Sequence, residues 1–207
     1  DPDFLIGEQI DAIFLTHAHE DHIGAVGLLY PRLQTKAPIY ATPFTTELVR
    51  SKMLERGVDA RWLKPVALGG TVVAGPFSVT YITLTHSIPE PNALAIETPA
   101  GMILHTGDWK IDPDPQIGGP TDIAGLTALG DRGVLAMVCD STNVFEEGES
   151  GSEETVKQGL IDLIAQQKQA VAVTTFASNV ARVKSIIEAA ELAARSVGLV
   201  ARSMHRI

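Results

Sequence analysis

The segment Thr16-His17-Ala18-His19-Glu20-Asp21-His22 follows an apolar stretch that has the composition of a buried strand. Histidine and aspartate are the usual ligands of zinc at hydrolytic sites. A tight loop at a strand end points alternate side chains to one side, so His17 and His19 are predicted to face one metal ion. Asp21 and His22 would then face a second ion. The alternative is a polar loop with chance histidines, but four potential ligands within six residues argue against it.

Two further polar side chains follow apolar runs in the same way. His86 ends the run VTYITLTH, and Asp108 lies in ILHTGDWK. Either residue alone would more often be an ordinary capping group. Strand ends on one edge of a sheet converge in space, which brings both residues toward the histidine-rich loop. His105 competes with Asp108 as a metal ligand. The alternation of side chains along the strand, however, favours a buried, hydrogen-bonded position for His105.

Short apolar runs alternate with helical patterns along the whole chain, which indicates an α/β fold. The predicted strands cover residues 12–16, 38–41, 77–83, 93–97, 102–105, 134–139, 170–175 and 198–201. The predicted helices cover residues 24–33, 45–55, 153–166 and 179–194, with a capping box from Ser150 to Glu153 at the start of the third. A polar, acidic and glycine-containing stretch at 143–152 predicts a domain boundary.

Composition narrows the class of protein. The 207-residue chain has a net charge of −9, which argues against a generic polyanion-binding protein, because phosphate contacts normally use Lys and Arg. Bound divalent cations would offset that charge at a local site.

No stretch reaches the ~18–20 apolar residues of a membrane helix, and the N-terminus lacks the layout of a signal peptide. With a single cysteine, Cys139, no internal disulfide is available, and a cytoplasmic location is expected.

Several segments carry a family resemblance. The HxHxDH loop, the later strand-end histidine and the aspartate in a TGD context are the metal motifs of the metallo-β-lactamase superfamily. The segments FLTHAHEDHIGAV, YATPFT, THSIPEPNALAIETPAG, HTGDWKID, CDSTNV and TTFASNVARV are similar to the ribonuclease J family, in its order and approximate spacing. HSIP, DSTN and TFASN are more specific than the metal motif. They resemble the β-CASP subgroup, whose members act on nucleic acids.

The resemblance implies an incomplete αββα sandwich over residues 1–145 and the opening of a β-CASP α/β domain over 146–207. It implies two Zn²⁺ ions, with Mn²⁺ or Mg²⁺ as other options, and Asp140 as the first acidic residue of the β-CASP motifs. Asp21 and Asp108 would be the catalytic carboxylates. The implied first metal site is His17, His19 and His86, and the second is Asp21, His22 and Asp108, with Asp108 bridging both.

The implied function is a metal-dependent ribonuclease, a 5′-to-3′ exonuclease with endonuclease activity, that hydrolyses phosphodiesters with water activated by a dinuclear zinc centre. RNA is the expected partner, the complete protein is expected to be a homodimer or homotetramer, and no membrane is involved. The family has an aspartate-bearing motif upstream of the loop and a ligand histidine further downstream than this sequence reaches. The chain is therefore expected to be a fragment that is inactive alone.

Three other functions share parts of this pattern. A small-molecule hydrolase of the same fold would use every predicted metal ligand but would not need the DSTN and TFASN segments. A metal-free scaffold or RNA-binding module would keep the histidines as relics. A nuclease that acts on DNA would use the same chemistry.

Ser178 and Asn179 lie between a predicted strand and a predicted helix. Backbone N–H groups at a helix start can bind a phosphate, so both residues are candidates for RNA contact. The competing interpretation is a plain helix N-cap, which Ser and Asn both favour.

Overall fold

The computed structural model describes residues 2–205, which form two β-sheets with helices on their outer faces. The first sheet is parallel and has the order β1-β2-β3, and the second has the order β4-β5-β6-β7-β8. Strands β4 to β7 pair antiparallel, whereas β8 pairs parallel to β7. The strands are β1 (Ile13–Phe14), β2 (Ile39–Ala41), β3 (Leu63–Pro65), β4 (Thr71–Ala74), β5 (Phe77–Thr83), β6 (Asn92–Thr98), β7 (Gly101–His105) and β8 (Ala136–Val138).

Six α-helices and three short 3-10 helices accompany these strands in the described part of the chain. The α-helices are α1 (Glu20–Ile23), α2 (Val26–Arg32), α3 (Pro43–Glu55), α4 (Ile123–Arg132), α5 (Glu153–Ala165) and α6 (Val180–Leu192). The 3-10 helices cover Pro2–Leu5, Ala60–Trp62 and Arg202–His205.

Alternation of side chains along the strands builds a four-layer core. Leu15 lies in a buried cluster with residues of α2 and α3, whereas Phe14 points the other way and packs with Tyr81 between the two sheets. The Tyr81 hydroxyl donates a hydrogen bond of 2.9 Å to the backbone carbonyl of Tyr40, which joins the sheets. On the far face of the second sheet, Ile82 packs in a cluster with α4. The predicted αββα sandwich is confirmed.

Helices α3 and α4 each begin at a side chain that accepts a hydrogen bond from the first turn of the helix. Pro43 occupies the first turn of α3, where its missing N–H costs nothing, and the Glu90 carboxylate accepts a hydrogen bond of 2.9 Å from the Phe44 N–H. Asp122 caps α4 by accepting from the Gly125 N–H at 2.8 Å. The first contact holds the start of α3 against the loop between β5 and β6, and the second caps the start of α4.

The prediction of strands at residues 170–175 and 198–201 is wrong, because neither segment pairs with a strand in the described structure. A strand needs a hydrogen-bonded partner, and an apolar β-prone run without one stays extended and irregular. The short strands β3 and β4 and the helix α4 were not predicted. The strand predicted at 77–83 is found with the same bounds, and the other predicted strands and helices are found with shifted ends. The helix predicted at 24–33 corresponds to α2, and the short helix α1 before it was not predicted.

Helices α5 and α6 pack against each other and are attached to the sandwich by a polar contact. The N-cap of α5 is Ser152 rather than Ser150, and its hydroxyl accepts from the Glu154 N–H at 3.1 Å. The buried Asp112 carboxylate accepts hydrogen bonds from the Ser152 hydroxyl at 2.6 Å and from the Glu153 N–H at 2.8 Å. Within the described residues, no helix is both long and apolar enough to cross a bilayer.

Candidate metal centre

Three loops at one edge of the sandwich supply the predicted ligands. His17 and His19 follow β1, His86 follows β5, and Asp108 follows β7. Asp21 and His22 lie in the short helix α1, directly after the first loop. The structure brings all six residues together, in two groups that share Asp108.

The first group consists of three histidines and one oxygen of Asp108. His19 Nδ1 lies 3.2 Å from His17 Nε2 and 3.0 Å from His86 Nε2. Asp108 Oδ2 lies 3.7 Å from His17 Nε2 and 3.8 Å from His86 Nε2. Ring nitrogens from three different histidines therefore converge on one point, with a carboxylate oxygen beside them.

The second group uses the other oxygen of Asp108. His22 Nε2 lies 3.1 Å from Asp108 Oδ1 and 3.5 Å from Asp21 Oδ2. The Asp21 side chain is 77% exposed, so this group opens to solvent, whereas His17 is fully buried. Asp108 presents one oxygen to each group, which is the arrangement of a bridging carboxylate.

The histidines of the first group are held in their neutral form. Burial, with smaller contributions from the neighbouring histidines, lowers the pKa of His17 to about 2. Burial also lowers the pKa of His86 to about 4, with a contribution from His19 and an opposing one from Asp108. The pKa of His19 is lowered by burial as well, although the Ser178 carbonyl raises it in part. Neutral imidazole is the form that binds a metal ion, so these rings are ready to act as ligands.

The donor set fits divalent metal ions. Three histidine ring nitrogens and a carboxylate oxygen lie around one point, and histidine with carboxylate is the usual ligand set of catalytic zinc. His17 Nδ1 lies 3.0 Å from the Thr16 hydroxyl, which leaves its Nε2 for the cluster. The two groups consist of the residues that the sequence assigned to two ions, and the binding of those ions stays a prediction.

Gly107 places Asp108 and admits no side chain. Its φ is +59°, and a Cβ there would lie 3.0 Å from Thr16 Cβ and 3.0 Å from the Asn92 carbonyl oxygen. Both neighbours are themselves buried. The glycine of the TGD motif is therefore required by the left-handed backbone and by the close approach of the first loop.

We expect Gly107→Ala to lower the free energy of unfolding by more than the about 1–3 kcal/mol that a strained backbone position costs, because crowding by Thr16 and Asn92 adds to that cost. Gly118→Ala is the matched control, because Gly118 has a φ of +70° with no atom within 4 Å of the added Cβ. Urea unfolding of both variants separates crowding from the backbone cost that they share. Equal losses in the two variants would contradict the crowding argument.

A cleft of about 280 Å³ lies beside the two groups. His86 and Asp108 line one side, and Trp109, 40% exposed, lies next to them. Asp140 lies on the cleft as well, and its carboxylate accepts hydrogen bonds from the Thr142 N–H at 2.9 Å and the Thr142 hydroxyl at 2.7 Å, which lower the pKa of Asp140. The start of α5 completes the wall. The cleft thus leads from solvent to His86 and Asp108.

The remaining candidate residues lie at the edge of this centre. His105 is half-buried and its Nδ1 accepts a hydrogen bond from the Gly107 N–H at 3.1 Å, so it stays outside both groups. The Asn179 side chain caps α6 by accepting from the Arg182 N–H at 2.9 Å. The Ser178 backbone carbonyl lies 3.3 Å from His19 Nε2. Phosphate contact by Ser178 or Asn179 stays a prediction.

Comparison with known proteins places the chain in a family. Residues 5–156 match the family model described as the beta-lactamase superfamily domain. The chain belongs to this superfamily. Residues 168–207 match a second family model, which is described as the beta-CASP domain of ribonuclease J.

The chain is also similar to curated proteins named Ribonuclease J. It is 46% identical to the one from Sinorhizobium meliloti over 96% of this chain and 35% of that protein. It is 42% identical to the one from Corynebacterium glutamicum over 96% of this chain and 27% of that protein. For Helicobacter pylori the identity is 38% over 99% of this chain and 30% of that protein. The resemblance to the ribonuclease J family is confirmed, and the chain spans about a third of the length of these relatives.

A solved structure shares the fold. The crystal structure of a protein of unknown function from Enterococcus faecalis superposes with a TM-score of 0.63 and 23% sequence identity. The match covers 86% of this chain and 44% of that one.

Proposed function

We propose that the chain contributes the metal centre of a metal-dependent ribonuclease that hydrolyses phosphodiester bonds in RNA. The observation that carries this proposal is Asp108, which presents one oxygen to each of two ligand groups. The relatives named Ribonuclease J and the match to the beta-CASP domain of ribonuclease J support RNA as the substrate class. By the same resemblance, the activity is 5′-to-3′ exonucleolytic with endonucleolytic cleavage.

His17, His19 and His86 would hold one ion, and Asp21 and His22 a second, with Asp108 binding both. Zn²⁺ suits the histidine-rich group best, and Mn²⁺ or Mg²⁺ would suit the more carboxylate-rich one. A pair of divalent ions would supply Lewis acidity, which lowers the pKa of water to about 7 and offsets charge on the phosphate. The positive charge of the ions is needed at the phosphate, because the protein itself has a net charge of −9.

The chain's own residues have distinct roles in the proposed reaction. Asp108 fixes the distance between the two ligand groups, because its carboxylate is shared by both. Asp21 is the most exposed of the six and lies 3.5 Å from His22 Nε2, so we assign it to orienting the attacking water and accepting its proton. The cleft beside Asp108 and Trp109 is the proposed path of the RNA strand.

The same interpretation includes three finer proposals. Residues 1–145 form the β-lactamase-type domain and 146–207 the opening of the β-CASP domain. The complete enzyme is a homodimer or homotetramer. It works in the cytoplasm, where the exposed thiol of Cys139 would stay reduced.

Metal removal tests the proposed function. The longest natural form of the protein is stripped with a chelator, reloaded with Zn²⁺ or Mn²⁺, and given 5′-monophosphorylated RNA, single-stranded DNA and a small ester. We expect about two ions per chain and RNA cleavage that is lost on stripping and restored on reloading. Cleavage of DNA alone or of the ester alone would move the assignment to those substrates. A protein that binds no metal would support the scaffold or RNA-binding alternative.

A further inference from the structure

The outward-facing nitrogen of His19 is contacted by two separate parts of the chain. His19 Nδ1 faces the cluster, and when Nδ1 binds a metal ion, Nε2 carries the proton on the opposite side of the ring. That Nε2 lies 3.3 Å from the Ser178 carbonyl oxygen and 3.3 Å from the Ser87 hydroxyl oxygen. Both oxygens can accept from the single N–H, and together they fix the rotation of the ring.

Ser178 lies in the segment that precedes α6, far from the histidine loop in sequence. Several contacts hold this segment against the centre. The Ala181 N–H donates to the Ser87 carbonyl at 3.1 Å, and Val180 packs against the core beneath β1 and α3. The Asn179 cap fixes the turn in which the Ser178 carbonyl points at His19. Ser87 therefore contacts both regions: its hydroxyl contacts His19, and its carbonyl accepts from Ala181 at the start of α6.

We infer that Ser87 and the Ser178 carbonyl are positioning groups for His19, so that the segment preceding α6 forms part of the metal centre. This inference rests on the proposed metal site. A histidine ligand normally donates its second N–H to a carbonyl or carboxylate, which sets the ring orientation and raises ligand basicity. Here that partner comes from the segment matched to the β-CASP family. Metal affinity and the docking of α6 are coupled as a result.

The coupling assigns a role to Asn179 that differs from phosphate binding. Its side chain contacts no histidine, yet it caps the helix whose preceding carbonyl holds His19. Removing the cap loosens the turn at 176–179 and with it the position of the Ser178 carbonyl. Asn179→Asp keeps an acceptor oxygen at the N-cap and is expected to keep the turn.

Zinc affinity is the measurement that tests the inference. The Zn²⁺ dissociation constant is determined by competition with a chromophoric chelator, and the Co²⁺-loaded protein is examined by visible absorption. We expect Ser87→Ala and Asn179→Ala to weaken binding about 10- to 100-fold, the usual effect of losing an outer partner of a ligand histidine. We also expect both to change the Co²⁺ spectrum, and Asn179→Asp to restore both properties.

Two controls separate positioning from a general loss of stability. Asp122→Ala removes the N-cap of α4, and Ser78→Ala removes a hydroxyl from β5; neither side chain has a recorded contact with a cluster histidine. Both controls are expected to bind zinc like the unchanged protein. Unchanged affinity and spectra in Ser87→Ala and Asn179→Ala would overturn this inference alone. Absence of zinc binding in the unchanged protein would overturn the proposed function with it.

Discussion

Asp108→Ala is expected to abolish RNA cleavage and to lower zinc affinity by more than about 100-fold, beyond the 10–100-fold typical for loss of an outer-shell partner. The reason is that Asp108 is the one residue present in both ligand groups. Its removal takes an oxygen away from His22 on one side and from His17 and His86 on the other. Metal content and cleavage of 5′-monophosphorylated RNA are the two measurements.

Asp108→Asn sharpens this test. The amide has nearly the same shape as the carboxylate but cannot supply a negatively charged oxygen to both groups. We expect it to fold like the unchanged protein and to lose most of the activity. Asp131→Ala removes an exposed carboxylate from α4 and serves as the matched control. Full metal binding and activity in Asp108→Asn would refute a bridging role.

Asp112→Ala is expected to lower the free energy of unfolding by about 3 kcal/mol, the lower end of the cost of breaking a buried ion pair. Asp112 is 5% exposed and accepts from Ser152 and Glu153 at the start of α5, with the Lys110 ammonium 3.6 Å away. Its loss leaves these donors unpaired and frees α5 from the sandwich. Asp114→Ala, which removes an exposed carboxylate two residues away, should change stability little. Urea unfolding measures both, and similar losses would contradict the prediction.

The same carboxylate makes the attachment of α5 sensitive to acid. Burial raises the pKa of Asp112, but the hydrogen bonds from Ser152 and Glu153 and the Lys110 charge outweigh it and lower the pKa below 3.8. A lowered pKa in the folded state stabilises the fold above pH 3.8, and this contribution is lost as the pH falls through the folded-state value. The stability difference between the unchanged protein and Asp112→Asn should therefore be constant near neutral pH and shrink only in that acidic window.

The sequence allowed the central part of the site to be predicted because its ligands follow strands. His17, His86 and Asp108 each come after an apolar run, and the ends of such runs meet at one edge of a sheet. The alternation of apolar runs and helical patterns predicted an α/β fold, and the family resemblance implied the sandwich. The alternation could not predict the contacts of Ser87 and Ser178 with His19, because these join segments that no local pattern relates. A serine directly after a ligand histidine was the only available signal.

The errors have a physical origin in pairing. The run at 170–175 has the composition of a strand, but composition does not provide a neighbour, and no described segment pairs with it. The strand β4 was missed for the opposite reason, since its pairing with β5 from Thr71 to Ala74 stabilises a short, half-exposed segment. Helix α4 carries two glycines, Gly125 and Gly130, which weaken its local helix propensity.

The separation of the ligands along the chain links ion binding to folding. Because the loops after β1, β5 and β7 meet only in the folded protein, an ion that binds them stabilises that state and leaves the unfolded chain almost unaffected. At a free concentration 1,000 times the dissociation constant, the stabilisation is about 4 kcal/mol. For a protein of this size that corresponds to a rise in Tm of roughly 8–16 °C. A melting curve recorded with each divalent ion in turn would therefore rank their affinities without a substrate.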